Sequence, residues 1–82
     1  MDRELIREKV YDYLANNFRI FGEITDSQKL GYDLGLDSFD LVELIIKIEN
    51  DLCFVTGEEE LIPLNNATVA ELIDFIEKKV NG

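Results

Sequence analysis

The sequence has no histidine, no tryptophan, one cysteine and one proline among its 82 residues. Because Cys53 has no partner cysteine and histidine is absent, a disulfide framework, a Cys/His zinc site and Ser–His or Cys–His nucleophilic pairs are all excluded within the chain. Cys53 lies in the apolar run 52–55, which predicts a small buried thiol and not a reactive one. No long apolar segment and no signal peptide is present, so we expect a cytoplasmic protein.

Basic residues are also scarce, with 8 lysines and arginines against 18 aspartates and glutamates and a formal net charge of −10. Such a surface repels nucleic acid and anionic membranes, so neither is an expected partner. It attracts basic protein surfaces, although an acidic excess also serves solubility alone. We expect a monomer with no metal site that meets its partners transiently.

The hydrophobic pattern predicts an all-α fold, a small four-helix bundle with three longer helices and a short third one, in a single domain over 1–82. The first helix is predicted over 3–18. The last helix is predicted to begin at Thr68, whose spacing from Glu71 is that of a capping box. No stretch alternates with period two, so no sheet is expected. The predicted core positions are Ile6, Val10, Tyr13, Leu14, Phe18, Leu41, Leu44, Ile45, Ile48, Leu52, Val69, Leu72, Ile73, Ile76 and Val80.

The connection between the first two helices, 19–36, is longer than most connections in compact domains. Apolar side chains occur throughout it, so we expect it to pack on the core. Further along, the acidic segment 58–61 predicts a third helix of a single turn, which Pro63 stops. The apolar residues of the long connection are Ile20, Phe21, Ile24, Leu30, Tyr32, Leu34 and Leu36.

A candidate functional residue, Ser38, lies where the second helix is predicted to begin; that helix is expected to end near Asp51 or Leu52. Gly35 favours a turn before it, and Asp37 is a good N-cap. The hydroxyl of Ser38 then lies at a helix start, where unpaired N–H groups and the helix dipole favour a phosphate ester. From this stretch alone, a simple capping role for Ser38 is the commoner explanation.

The second helix carries two apolar stripes, of which only one is needed to face the core of a small bundle. The other stripe alternates with acids, a pattern that suits a transient protein interface and equally a solvated acidic face. The residues of this candidate docking surface are Asp37, Phe39, Asp40, Val42, Glu43, Ile46 and Glu49.

The run Leu34 to Phe39 resembles the signature of acyl carrier proteins, which is Leu-Gly, a variable residue and then Asp-Ser-Leu. The resemblance extends over nearly the whole chain. In that family the serine carries 4′-phosphopantetheine, donated by coenzyme A, and the thiol of this arm carries an acyl group as a thioester. The resemblance therefore implies that Ser38 carries the arm and that the chain is not an enzyme. It also implies two kinds of partner, a phosphopantetheinyl transferase and the acyl-transfer and chain-elongation enzymes, whose basic surfaces dock on the second helix.

Three positions depart from the family pattern. Phe39 replaces the usual leucine, Lys47 stands where the family often has a small residue, and Asn50 stands where it often has an acid. Lys47 and Asn50 weaken the negative surface. Fatty-acid synthesis, polyketide synthesis and a specialised pathway all stay open as the setting in which the carrier works.

Other functions use the same features. An aminoacyl or peptidyl carrier has the same serine and arm, but the acid-rich second helix favours the acyl type. A cofactor-free acidic helical adaptor would have the same surface and no modification at Ser38. An enzyme that uses paired carboxylates is disfavoured, since such groups work in a sheltered pocket that shifts their pKa values, and these acids are expected to be solvated.

Overall fold

The fold of residues 1–20 and 22–82, taken from a computed structural model, consists of four α-helices. They are α1 (Arg3–Asn17), α2 (Ser38–Leu52), α3 (Glu58–Leu64) and α4 (Val69–Asn81). Within those ranges the β pairing is limited to an isolated bridge between Lys29 and Thr68. The all-α prediction with three longer helices and a short third one is confirmed. None of these helices has both the length and the apolar character that crossing a membrane requires.

One core joins α1, α2 and α4, and each helix contributes the stripe that its sequence predicts. Ile6, Val10 and Leu14 of α1 are buried, and Tyr13 and Phe18 are partly buried against them. The remaining predicted core positions, in α2 and α4, are also buried or partly buried, because residues three and four apart share one face of a helix. The buried ones are Leu41, Leu44, Ile45, Ile48, Val69, Leu72, Ile73 and Ile76, and Leu52 and Val80 are partly buried.

The long connection packs on the core and also satisfies backbone groups at the start of α4. The carbonyls of Asp26 and Gln28 accept the N–H groups of Ala70 and Val69 at 3.0 and 2.9 Å. The first N–H groups of an α-helix have no acceptor within the helix. Carbonyls of the long connection supply acceptors for two of them. The predicted capping box adds a third bond, from Glu71 N–H to Thr68 Oγ1 at 3.1 Å.

Most of the apolar side chains in this connection pack as expected. Leu30, Leu34 and Leu36 are buried, and Ile20 and Ile24 are partly buried against the core. The prediction that Tyr32 packs on the core is wrong, because this residue lies in the turn between Leu30 and Leu34 and is 88% exposed. Phe21 lies outside the described residues.

Two expectations about the chain after α2 are also wrong. Cys53 is exposed, because it caps α2 in the left-handed conformation at φ 59°, outside the helix. Pro63 does not stop α3 after one turn but lies inside its last turn, and the helix continues to Leu64. Proline has no backbone N–H, so Pro63 removes one hydrogen bond from α3. The helix is only 7 residues long and ends at the next residue, Leu64.

The short α3 is joined to α4 by an ion pair that sequence patterning did not suggest. Lys79 Nζ lies 2.8 Å from Glu60 Oε1 and also donates to the carbonyl of Val55 at 3.2 Å. The same Glu60 oxygen accepts the backbone N–H of Gly57 at 3.0 Å, at the start of α3. Lys79 first, and the Gly57 N–H second, lower the pKa of the Glu60 carboxyl below its usual value of 4.5.

This lowered pKa predicts a pH dependence of stability. Because the folded pKa lies below the unfolded one, the stabilisation from Glu60 is complete above about pH 4.5 and is lost as pH falls through the folded value. We expect Glu60→Gln to lower the free energy of unfolding near neutral pH, and the difference from wild type to shrink in acid. Urea unfolding followed by circular dichroism, between about pH 6 and about pH 3.5, measures it.

Glu59→Gln is the matched control, since it removes one charge from the same turn and leaves the partner of Lys79 in place. A difference between Glu60→Gln and wild type that stayed constant over this pH range would contradict the assignment of the ion pair.

Candidate functional site

Ser38 is the first residue of α2 and is exposed to solvent, as the sequence predicts. The preceding Asp37 is the N-cap, and its Oδ1 accepts the N–H of Asp40 at 2.8 Å. Asp40 completes a capping box, because its Oδ2 accepts the N–H of Asp37 at 3.2 Å. Ser38 is therefore not the cap, and its hydroxyl is available at the positive end of the helix dipole.

Two glycines place this helix start against the rest of the fold. Gly35 has φ 76°, a left-handed conformation that lets the chain turn before Leu36 enters the core. Gly31 approaches the end of α3 so closely that a Cβ there would lie 2.8 Å from Asn65 Oδ1 and 2.9 Å from Asn65 O. A side chain at Gly31 would therefore displace Asn65 at the end of α3.

An apolar groove of about 380 Å³ opens beside Ser38, between α2 and α3. Ile62 is 78% exposed on the α3 side, and Leu41 is buried beneath the α2 side. A groove of this kind offers an alkyl chain a surface on which to pack. Its lining consists of Ser38, Leu41, Val42, Glu58, Leu61, Ile62 and Asn65.

The α3 side of this groove was missed in the sequence, because the single turn predicted for α3 ended at Leu61. The pair Leu61–Ile62 directly before Pro63 was the available signal. Core packing does not explain an apolar residue that is exposed on a short helix, so such a residue indicates a binding surface.

The second apolar stripe of α2 is exposed, as predicted. Phe39 is 86% exposed, Val42 40% and Ile46 49%, whereas Ile45 and Ile48 on the opposite side are buried. Their spacing of three and four residues places the three exposed side chains on one face. A shallow second groove of about 540 Å³ runs along this face, lined by Phe39, Val42, Glu43, Ile46, Lys47 and Asn50.

The four acids predicted for the docking surface do not behave alike. Asp37 and Asp40 bond the backbone of the first turn through their carboxylates. Glu49 Oε2 accepts the N–H of Thr56 at 2.6 Å, so its carboxylate is directed to the segment before α3 and not to the groove. Glu43 alone of the four lines the groove, and it is exposed.

Comparison with known proteins gives a consistent result. The family described as phosphopantetheine attachment site matches residues 8–76. An acyl carrier protein of Chlorobium phaeobacteroides is 36% identical over 80 residues, covering 96% of this chain and 100% of that protein. Acyl carrier proteins of Chlorobium luteolum and Thermotoga maritima are 37% and 32% identical, over 90% and 95% of this chain and 94% and 95% of their own lengths.

The geometry suits the cofactor that this family takes, covalently attached 4′-phosphopantetheine. An exposed hydroxyl stands at a helix N-terminus, where a phosphate ester is stabilised, and an apolar groove opens next to it. Three observations point to the same family. They are the exposed hydroxyl at a helix start, the match to the attachment-site family, and the similarity to three named carriers over nearly their full lengths. The chain belongs to the acyl carrier protein family, whose members carry their cargo on 4′-phosphopantetheine and are not themselves catalysts.

Proposed function

We propose that residues 1–82 act as a single, monomeric carrier domain in the cytoplasm, with the 4′-phosphopantetheine arm on Ser38. The observation that carries this proposal is the exposed Ser38 hydroxyl at the capped start of α2, beside the apolar groove. The terminal thiol of the arm supplies the thioester that holds the acyl group. The chain's own residues position the attachment point and present it to partner enzymes.

Attachment makes the chain a substrate of a phosphopantetheinyl transferase. The O–H bond of Ser38 breaks as an Oγ–P bond forms with the β-phosphate of coenzyme A, and adenosine 3′,5′-bisphosphate leaves. The hydroxyl proton passes to a base on the transferase. The product is a phosphodiester whose negative charge lies at the N-terminus of α2, where the helix dipole stabilises it.

The apolar groove favours acyl cargo over aminoacyl or peptidyl cargo. An alkyl chain that leaves water for the groove between α2 and α3 gains roughly 0.8 kcal/mol per buried CH₂ group. A charged amino group would lose solvation in the same place. The groove therefore supports a carrier of fatty-acyl, polyketide or related intermediates.

The exposed face of α2 is the proposed docking surface for transferase, acyl-transfer and elongation enzymes. Its apolar stripe, Phe39, Val42 and Ile46, supplies contact area, and the net charge of −10 steers the chain toward basic surfaces. Asp37, Asp40 and Glu43 lie nearest the attachment point, and Glu49 contributes its charge from the side.

Two measurements test the proposal. Incubation with coenzyme A and a broad-specificity transferase should add one phosphopantetheine mass, and fragmentation should place it on Ser38. The loaded chain is then charged with a medium-length fatty acyl group or with an alanyl group. Only the fatty acyl form should shift the amide resonances of Leu61 and Ile62. No mass gain would contradict the carrier assignment, and equal shifts with both groups would contradict acyl selectivity.

A further inference from the structure

The groove on the exposed face of α2 is electrically balanced, although the whole chain has a net charge of −10. Its charged lining residues are one acid, Glu43, and one base, Lys47. They are four residues apart, so their Cα atoms lie about 6 Å apart along the helix axis. The groove therefore has an acidic end toward Ser38 and a basic end away from it.

The acids that follow Lys47 in α2 already have other partners. Asp51, one turn beyond Lys47, is bound by Lys9 of α1 at 3.0 Å. Glu49 is bonded to Thr56 N–H at 2.6 Å. None of the ion pairs formed within the described ranges includes Lys47 or Glu43. Asn50, which completes this end of the groove, is uncharged.

The apolar stripe lies beside both charges, so a partner that covers the stripe brings its own side chains up to Glu43 and Lys47 together. A uniformly basic surface would meet Lys47 with a like charge, which is unfavourable at a close interface. A surface with a base opposite Glu43 and an acid opposite Lys47 would satisfy both charges.

We propose that Lys47 selects partner enzymes whose docking surface has an acidic side chain, in addition to the basic ones, around an apolar centre. This inference rests on the docking role of α2 in the proposed function and names the chemistry of the partner. Lys47 then acts by discrimination, because it disfavours wholly basic surfaces that the negative chain would otherwise attract.

The test is selection of binders from a displayed library of helical hairpins. One helix has a fixed leucine face, and the positions flanking that face are randomised between lysine and glutamate. The immobilised full-length chain should select binders with lysines and at least one glutamate, whereas Lys47→Glu should select binders with lysines only. Replacing that glutamate by lysine should weaken binding to wild type by roughly two- to fivefold and leave binding to Lys47→Gln nearly unchanged.

Lys78→Glu is the matched control, since it makes the same change in net charge on the exposed side of α4. It should select the same binders as wild type, and circular dichroism should show all variants folded. Uniformly basic binders from wild type, a control that behaves like Lys47→Glu, or no binders at all would overturn the inference. Loading at Ser38 is measured separately, so a failed carrier assignment is distinguishable from a failed Lys47 assignment.

Discussion

Ser38→Ala is expected to stay at its unmodified mass under conditions in which the wild-type chain is fully loaded with phosphopantetheine. The loss is complete and not partial, because no other atom can replace the attacking hydroxyl at the start of α2. Folding should be retained, since Ser38 is exposed and Asp37, not Ser38, caps the helix. Exposed substitutions of this kind change stability by about 0.5 kcal/mol or less.

The chain offers a clean control, because Ser27 is its only other serine. Ser27 is also exposed, but it lies in the long connection and not at a helix start. Ser27→Ala should load at the wild-type rate when intact mass is followed over time. Loading that persisted in Ser38→Ala, or that disappeared in Ser27→Ala, would place the arm elsewhere and remove the basis of the proposed function.

The start of α2 was predictable from the sequence because each of its signals is local. An aspartate before the first turn, an acid three residues on and an apolar period of three and four determine the cap, the helix and its buried face. Asp37 and Ile48 were placed correctly for this reason, whereas the local stretch alone favoured a capping role for Ser38, which Asp37 fills instead. The exposure of Phe39 followed as well, since a small bundle buries one face of a helix.

The groove beside Ser38 was not predictable in the same way, because it depends on contacts between distant segments. The pairing of Glu60 with Lys79 joins residues 19 positions apart, and no period in either helix indicates it. The turn at Tyr32 shows a related limit. A loop without periodicity reveals that some of its apolar residues pack, but not which ones, so the exposed tyrosine could not be distinguished from its buried neighbours.

The charges on α2 are a third case. The sequence suggested an apolar stripe bordered by four acids, but a carboxylate contributes to docking according to where its oxygens point. The bond from Thr56 N–H to Glu49 depends on the left-handed turn at Cys53, which brings the chain back along α2. Sequence spacing places an acid on a helix, whereas the tertiary structure decides whether a partner can reach it.

Ile48→Ala and Ile46→Ala form the sharpest test of the two faces of α2. Ile48 is fully buried, so its truncation is expected to lower the free energy of unfolding by about 2–5 kcal/mol through lost burial and a residual cavity. Natural domains are stable by roughly 0.05–0.15 kcal/mol per residue, so a chain of 82 residues has a free energy of unfolding of roughly 4–12 kcal/mol, and Ile48→Ala should remove a large share of it. Urea unfolding followed by helical circular dichroism gives the difference.

Ile46→Ala makes the identical chemical change two residues earlier in the same helix, so the gain in helix propensity from isoleucine to alanine is the same in both variants. Ile46 is 49% exposed, and its truncation should lower the free energy of unfolding by only about 0.5–1 kcal/mol. Its effect should appear instead in binding, as weaker capture by the transferase with loading still confined to Ser38. Equal destabilisation by the two substitutions would mean that Ile46 belongs to the core, and the exposed face of α2 would then lose its role as a docking surface.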